Sequence, residues 1–194
     1  MTLVLGLGNP GRRYIRTRHN AGWRVVRTLV GRWKAGAGEE TPEYRSWKAE
    51  AAGHAVDLAI PLTQMNRSGD ALEAWRRRRP FDPVSLLVVT DDVYLALGTL
   101  RLRAGGSSGG HRGLQSIEAA LGSREYARLR VGVGAAESAA LREHVLGEPP
   151  ADERAVMDEA IGRAADAVEC WLGEGVFAAM NRFNRRMHKE DSES

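Results

Sequence analysis

The sequence lacks a second cysteine, an apolar run of membrane length and a signal-peptide pattern. Its single cysteine, Cys170, has no partner for an internal disulfide, so nothing indicates an oxidising compartment. A transmembrane helix needs about 20 consecutive apolar residues, and no run in the chain approaches that length. The N-terminus also lacks a basic segment followed by an apolar core. Together these absences predict a cytoplasmic protein with no membrane partner.

Metal-binding spacings and an activated nucleophile are also missing. The five histidines are scattered, without an H-x-x-x-H or C-x-x-C spacing, so the sequence predicts no metal site and no cofactor. Ser107 and Ser108 lie in a glycine-rich stretch without the pattern of a nucleophile elbow, and His111 is expected to shape that loop. Cys170 lies in an apolar helical pattern. These features favour direct attack by water over a covalent intermediate.

Length and composition are those of one globular domain. The chain has 194 residues, 43% of them hydrophobic and 27% charged, which is enough for a substantial core. The net charge of +3 is small, so the placement of charge matters more than its total. Arginines cluster at 12–18, at 76–79 and in the segments 101–103 and 128–130. Such clusters can attract a phosphate backbone, although the run at 76–79 closes a predicted helix, where cations on a solvated surface are favourable anyway.

Strand and helix patterns alternate along the chain. The patterns predict strands at 2–7, 44–51, 54–60, 85–89, 98–103 and 129–133. They predict helices at 20–33, from the end of the polar stretch 63–69 to about 78, at 114–121, at 151–172 and around 176–180, with a loop at 34–42. No repeat or linker is visible. We therefore predict a single α/β domain over 1–188, with a mixed, largely parallel sheet flanked by helices on both faces, and a polar C-terminal tail at 189–194.

The first strand leads into a glycine-rich turn, GLGNPG at 6–11, which formally matches G-x-G-x-x-G. A dinucleotide-binding fold needs a helix that opens inside these glycines and an acidic residue about 20 positions later, at the end of a second strand. Here Pro10 lies inside the motif, and the first acids, Glu39 and Glu40, fall in the predicted loop. The sequence therefore argues against a dinucleotide site.

Polar groups of different chemistry follow this turn closely. They are an amide (Asn9), a phenol (Tyr14) and an imidazole (His19). Asp91 follows the predicted buried strand 85–89, and groups past the carboxyl ends of parallel strands gather on one rim. A carboxylate bonded to one nitrogen of His19 would fix the tautomer and leave the other nitrogen free to take a proton from water. The residues thus favour acid–base chemistry by His19 and Asp91.

Six segments of the chain carry a specific pattern. They are GLGNPGRRYIRTRHNAGW, LTQMNRSG, LLVVTDDVYLALG, GGHRGLQSI, RLRVGVG and VLGEPP. Their sequences and order resemble those of the bacterial peptidyl-tRNA hydrolases, and the resemblance covers nearly the whole chain. It implies hydrolysis of the ester between a peptide, or N-blocked aminoacyl group, and the 3′ end of tRNA. This reaction recycles tRNA from stalled or aborted translation, and we expect a monomer whose partner is peptidyl-tRNA.

The resemblance also implies roles for individual residues. His19 matches the catalytic base, Asp91 the acid that supports it, and Asn9 the amide that distinguishes N-blocked from free aminoacyl groups. Asn66 matches an amide that binds substrate and helps to position the water. The other positions implied to contact substrate or tRNA are Tyr14 (terminal nucleotide), Gln64, Met65, Arg103 and Arg130 (phosphates), and Arg112.

The chain departs from the family pattern at several positions. Arg112 stands where the family often has a substrate-binding asparagine, and a guanidinium can donate to a carbonyl or phosphate but accepts nothing. Gln64 occupies a position that is often aromatic, and Tyr94 one that is often acidic. The departures leave the His19–Asp91 pair intact.

Each assignment has a structural alternative. His19 can be a structural histidine at a helix start, Asn9 can satisfy turn backbone, and Asn66 can cap the following helix. Asp92 can take the role given to Asp91. The alternative function is a non-catalytic RNA-binding relative of the same fold. Retention of His19, Asp91, Asn9 and Asn66 argues against it, since binding alone needs no such pair.

Overall fold

Seven strands form one mixed sheet at the centre of the structure, a computed structural model that describes residues 2–135 and 140–184. The strands are β1 (Thr2–Gly6), β2 (Gly36–Glu40), β3 (Tyr44–Ala51), β4 (His54–Pro61), β5 (Leu86–Asp92), β6 (Leu100–Arg103) and β7 (Ala127–Gly132). Their order across the sheet is β2-β3-β4-β1-β5-β7-β6. The central strands β4, β1, β5 and β7 run parallel, while β3 and β6 pair antiparallel to their neighbours. The predicted mixed, largely parallel sheet is confirmed.

Helices cover both faces of this sheet. In the described part they are α1 (Ala21–Arg32), α2 (Ser68–Arg78), α3 (Arg112–Leu121), α4 (Leu141–Leu146), α5 (Ala151–Glu174) and α6 (Val176–Phe183). One apolar core lies between the sheet and helices α1, α5 and α6, where Val26 and Val168 are fully buried. The second lies under α2 and α3, around Leu72 and Ile117. None of the described helices combines the length and the apolar content needed to cross a membrane.

Residues 86–89 of strand β5 lie between the two cores. Leu87 faces one core and Val88 the other, so an uninterrupted apolar run is what a strand in this place requires. The strand continues beyond the predicted end at residue 89, because its pairing with β7 extends to Asp92. Asp91 and Asp92 therefore lie in the strand rather than after it.

Two elements, β2 and α4, are not predicted by the sequence patterns. Residues 34–42, expected to form a loop, contain β2, which pairs with β3 and places Ala37 opposite Trp47. The side chains of this edge strand are mostly exposed, so it carries no alternating apolar pattern. Helices α1, α2 and α5 lie within two residues of their predicted ends. The predicted polar tail at 189–194 lies outside the described residues.

Two glycines set the distance between α1 and the sheet. A Cβ at Gly6 would lie 2.2 Å from the carbonyl oxygen of Gly22, and a Cβ at Gly22 would lie 2.2 Å from that of Val89. Both distances are far below van der Waals contact, so only glycine permits this approach. The first turn of α1 therefore rests directly on β1 and β5, and the residues just before α1 are held at the carboxyl end of β5.

Candidate active site

His19, Asp91 and His111 meet at the carboxyl end of β5. His19 lies in the 3₁₀ turn Arg18–Asn20 before α1, and His111 directly precedes α3. Nδ1 of His19 lies 2.8 Å from Oδ1 of Asp91, and Nε2 of His111 lies 3.0 Å from the same oxygen. The structure therefore brings the two members of the predicted pair together and adds a second histidine to them.

The hydrogen bonds and charges determine which of these groups carry protons. Burial of Asp91, which is 1% exposed, raises its pKa. The attraction of His19 and His111, with their hydrogen bonds, outweighs burial and holds the pKa of Asp91 far below its usual range. Asp91 is thus ionised at neutral pH, and Nδ1 of His19 donates its hydrogen to Oδ1. In neutral His19 the proton-accepting atom is therefore Nε2.

The basicity of His19 reflects two opposing effects. Burial lowers its pKa, because a side chain that is 15% exposed loses most of its water. The charge of Asp91 and the hydrogen bond to it raise the pKa by more, so the result lies above the ordinary value of 6.5. A buried carboxylate thus makes His19 a stronger proton acceptor than a free imidazole.

His111 stabilises the carboxylate from the other side. Its Nδ1 accepts the backbone N–H of Leu114 at 3.2 Å, so the ring hydrogen of neutral His111 is on Nε2. Nε2 lies 2.7 Å from Oγ1 of Thr90 and donates toward Asp91. The prediction that His111 shapes the loop did not include this contact with Asp91. A helix start at Arg112, rather than the predicted Leu114, makes His111 the residue that caps α3.

Asn9 is fixed by Asn20, a buried residue that the sequence did not single out. The backbone N–H of Asn9 donates to Oδ1 of Asn20 at 2.9 Å, and Nδ2 of Asn20 donates to the carbonyl of Asn9 at 2.9 Å. Oδ1 of Asn9 accepts the backbone N–H of Met65 at 2.8 Å. Nδ2 of Asn9 has no acceptor among the described residues. The amide is therefore held in one orientation, and its N–H donor can bind a ligand. Since Asn20 follows His19 directly, the same bonds tie the histidine turn to the glycine-rich turn.

Gln64, Met65 and Asn66 lie together at the short 3₁₀ turn Met65–Arg67. Met65 is buried, and its Sδ would lie 2.6 Å from a Cβ at Gly113, so this turn packs against the start of α3. Gln64 and Asn66 are exposed. The cap position of α2 is Arg67, and its side chain makes no capping hydrogen bond. The alternative that Asn66 caps α2 is therefore wrong.

Tyr14 and Arg112 lie on the segments that carry His19 and His111. Tyr14 is half-buried in the turn before His19, and the guanidinium carbon of Arg13 lies 4.6 Å from the centre of its ring. Arg112 is exposed and directly follows His111. Their contacts with a ligand remain predictions.

Four arginines lie on β6 and β7, the last two strands of the sheet, and the exposed pair on the edge strand β6, Arg101 and Arg103, is called the basic edge below. They occupy alternate positions of β6 and β7 and lie opposite one another in register: Arg101 with Arg130, and Arg103 with Arg128. Arg128 is buried and bonded to Glu118 at 3.2 Å. Arg101 and Arg103 are exposed and have no carboxylate partner in the part of the chain that the structure describes. This pair of cations is therefore available to an external anion.

The guanidinium of Arg130 bonds mainly to groups within the protein. Its Nη1 lies 3.1 Å from Oδ2 of Asp92, and its Nη2 donates to the carbonyl of Ser107 at 2.8 Å. The residue is 9% exposed. Asp92 therefore pairs with Arg130 and not with His19, which excludes it as the alternative to Asp91. The predicted phosphate contact of Arg130 stays a prediction.

Among the described residues, His19, Asp91 and His111 also form a group that can offer ligand atoms to a metal ion. One atom from each lies within 4.8 Å of the others. The two histidine–carboxylate distances, 2.8 and 3.0 Å, are those of hydrogen bonds, so an ion would have to displace ring hydrogens. The prediction of no metal site rested on linear spacing, which does not detect groups that only the fold brings together.

The whole chain compares closely with one known family. The model of the peptidyl-tRNA hydrolase family matches residues 3–192. The chain belongs to this family. The peptidyl-tRNA hydrolase of Synechococcus sp. (strain JA-3-3Ab) is 46% identical over 186 residues, covering 95% of this chain and 83% of the relative. That of Roseiflexus castenholzii is 45% identical over 186 residues, covering 95% and 87%.

Solved structures of the family share the fold. The crystal structure of peptidyl-tRNA hydrolase from Acinetobacter baumannii superposes with a TM-score of 0.89 at 34% identity, covering 95% of this chain and 94% of that chain. The resemblance drawn from the six sequence segments, and the α/β fold class, are confirmed.

Proposed function

We propose that this chain hydrolyses the ester that joins a peptide, or another N-blocked aminoacyl group, to the 3′ end of tRNA. Membership of the peptidyl-tRNA hydrolase family supports the reaction. The single observation that carries the mechanism is the 2.8 Å hydrogen bond from Nδ1 of His19 to Asp91, which leaves Nε2 to act on water.

The base in this mechanism is His19. Its Nε2 removes a proton from a water molecule as the water oxygen attacks the ester carbonyl carbon. The imidazolium that forms is stabilised by the Asp91 carboxylate, which stays ionised. When the tetrahedral intermediate collapses, the bond to the ribose oxygen breaks and Nε2 returns its proton to that oxygen. The products are a free carboxylic acid and tRNA with a free terminal hydroxyl.

Asn9 gives the site a means to select N-blocked substrates. Its Oδ1 is occupied by the backbone of Met65, so Nδ2 is the group left to meet a ligand. A blocked amino group brings a carbonyl that can accept this donor, whereas a protonated free amino group has only hydrogens to offer. Asn66 adds a second, exposed amide at the same turn. Selection then follows from a match between donor and acceptor.

The basic edge supports binding of the RNA part. Arg101 and Arg103 are exposed cations on one strand, suited to successive phosphates. The non-catalytic RNA-binding alternative is not favoured, because binding does not require a buried His–Asp pair. We further propose that the protein acts as a monomeric single domain over 1–188, in the cytoplasm, where its substrate arises.

The test is hydrolysis of N-acetyl-aminoacyl-tRNA by the wild type, by His19→Ala and by His54→Ala. His54 is an exposed histidine at the start of β4 and serves as the control. We expect the first variant to lose release of the acyl group while its affinity for tRNA survives, and the control to match the wild type. Free aminoacyl-tRNA should be a poor substrate, and a chelator should not change the rate. Wild-type turnover in His19→Ala would refute the assignment of the base.

A further inference from the structure

Tyr94 is the most exposed of the large hydrophobic side chains in the described residues. Its exposed fraction is 77%, whereas Tyr44, Trp75 and Tyr126 in the core under α2 and α3 are at most 2% exposed. It lies in the connection between β5 and β6, close to the end of β5 that carries Asp91. A single exposed ring is common on protein surfaces, so the case for a ligand rests on where this ring lies and on how its backbone is held.

The backbone that carries this ring is firmly held. The backbone N–H of Tyr94 donates to Oδ1 of Asp92 at 2.8 Å, and the other oxygen of Asp92 is bonded to Arg130. The next residue, Leu95, is buried, and its carbonyl accepts the N–H of Gly134 at 3.2 Å. The ring is thus presented to solvent from a fixed base, which lowers the entropy that a bound ligand would have to remove.

Along the chain, Tyr94 lies between Asp91 of the proposed catalytic pair and the exposed arginines of β6. It is three residues from Asp91, so the two Cα atoms are at most about 11 Å apart. After Tyr94 the chain crosses the end of β7, where the N–H of Gly98 donates to the carbonyl of Gly132 at 3.1 Å, and enters β6 with Arg101 and Arg103. The connection that carries Tyr94 thus joins the strand of Asp91 to the strand of Arg101 and Arg103, and an RNA strand with its ester at His19 and its phosphates on these arginines would run along it.

We propose that Tyr94 is a stacking platform for an unpaired base near the 3′ end of the RNA. The inference rests on the proposed function, since it takes the ester at His19 and the phosphates at the basic edge as given. Every base presents a π-face, and an exposed aromatic ring between a cationic strand and a reaction centre is how single-stranded RNA is held without sequence readout. Tyr94 would thereby fix the distance between the phosphates and the scissile ester.

The experiment measures the affinity for a deacylated RNA hairpin with an unpaired 3′ end, in which 2-aminopurine replaces each unpaired base in turn. Tyr94→Ala is compared with Tyr94→Phe, which keeps the ring, and with Phe177→Ala. Phe177 is 73% exposed and lies on α6, against the start of β1 and β4 at the opposite end of the sheet. Loss of one stacked base weakens binding by about 5- to 150-fold.

We expect this loss for Tyr94→Ala alone, with quenching of 2-aminopurine at one position by the wild type and Tyr94→Phe but not by Tyr94→Ala. Unchanged affinity and quenching in Tyr94→Ala would overturn the proposal. It would also fall if that variant lost as much affinity for a blunt hairpin without unpaired nucleotides, or if its KM rose only for particular acyl groups. Wild-type hydrolysis of N-acetyl-aminoacyl-tRNA is measured in parallel. Its absence refutes the proposed function, whereas normal hydrolysis with unaffected RNA binding by Tyr94→Ala refutes the platform alone.

Discussion

Replacement of Asp91 by asparagine tests the proposed catalytic pair, His19 and Asp91, most directly. The change keeps the shape of the side chain and leaves Oδ1 as an acceptor for His19 and His111, but removes the charge. Without that charge, the burial of His19 is opposed only by a neutral hydrogen bond, so the pKa of His19 falls. The imidazolium that the proposed mechanism forms on His19 also loses its counter-charge.

The size of the effect follows from the geometry. The nearest atoms of His19 and Asp91 are 2.8 Å apart. Taking the centres of charge to be about 4 Å apart, an effective dielectric constant of about 20 gives an attraction of about 4 kcal/mol. Since about 1.4 kcal/mol corresponds to a factor of ten in rate, full loss of this attraction would lower kcat by about 10³-fold. Asparagine keeps a neutral hydrogen bond to His19, which still contributes about 1 kcal/mol of stabilisation. We therefore expect kcat to fall by roughly 10²- to 10³-fold.

The assay is the pH profile of kcat/KM with N-acetyl-aminoacyl-tRNA. The wild-type profile should rise with pH through a pKa above 6.5, as His19 becomes neutral. In Asp91→Asn this limb should move to lower pH, with a lower plateau. The matched control is Asp57→Asn, which neutralises another buried carboxylate of the sheet, one that is bonded to Arg79 at 3.2 Å. Equal plateaus and an unmoved limb in Asp91→Asn would refute the reasoning.

Three further predictions concern packing, binding and linkage. Gly22→Ala should lower the free energy of unfolding in urea by about 1–3 kcal/mol, and activity with it, because its Cβ would lie 2.2 Å from a carbonyl of β5. Gly31→Ala in the same helix meets nothing within 4 Å and should cost no stability; equal effects would contradict this. Arg103→Glu should weaken tRNA binding and flatten its dependence on salt. Arg45→Glu, on β3 near the opposite edge of the sheet, should change neither. Because the pKa of His19 is raised, its protonated form stabilises the fold fully below pH 6.5, and this contribution is lost as the pH rises through the folded pKa. Relative to His19→Gln, the wild type should therefore lose stability above pH 6.5, and parallel curves would exclude the effect.

The parts of the fold that carry a strong apolar pattern, whether periodic or uninterrupted, could be predicted from the sequence. The run at 85–89 indicates β5 because a strand between two cores has no polar side. The polar residues that follow it, Asp91 among them, could then be placed at the functional rim. Strand β2 could not be predicted, since its exposed side chains carry no periodic signal and its place depends on pairing with β3.

The candidate site was predictable only where its residues lie beside a recognisable local pattern. His19 follows the glycine-rich turn, and the motif around it is specific. Asn20 and His111 act through contacts with Asn9 and Asp91 that are distant in sequence, so no local spacing reveals them. The burial of Arg130 is equally invisible, because it depends on a carboxylate of the neighbouring strand.

The strand order has a consequence for how the protein is made. Strand β6 is synthesised before β7, yet in the described sheet it pairs with β7 and does not touch β5. Because synthesis starts at the N-terminus, β4, β1 and β5 can pair early. Residues 100–103 have no strand to pair with until residues 127–132 are made and insert between β5 and β6. The basic edge is therefore the last part of the sheet to form. A nascent chain that stops before residue 127 would contain His19 and Asp91 but would lack the strand that holds Arg101 and Arg103 in the sheet.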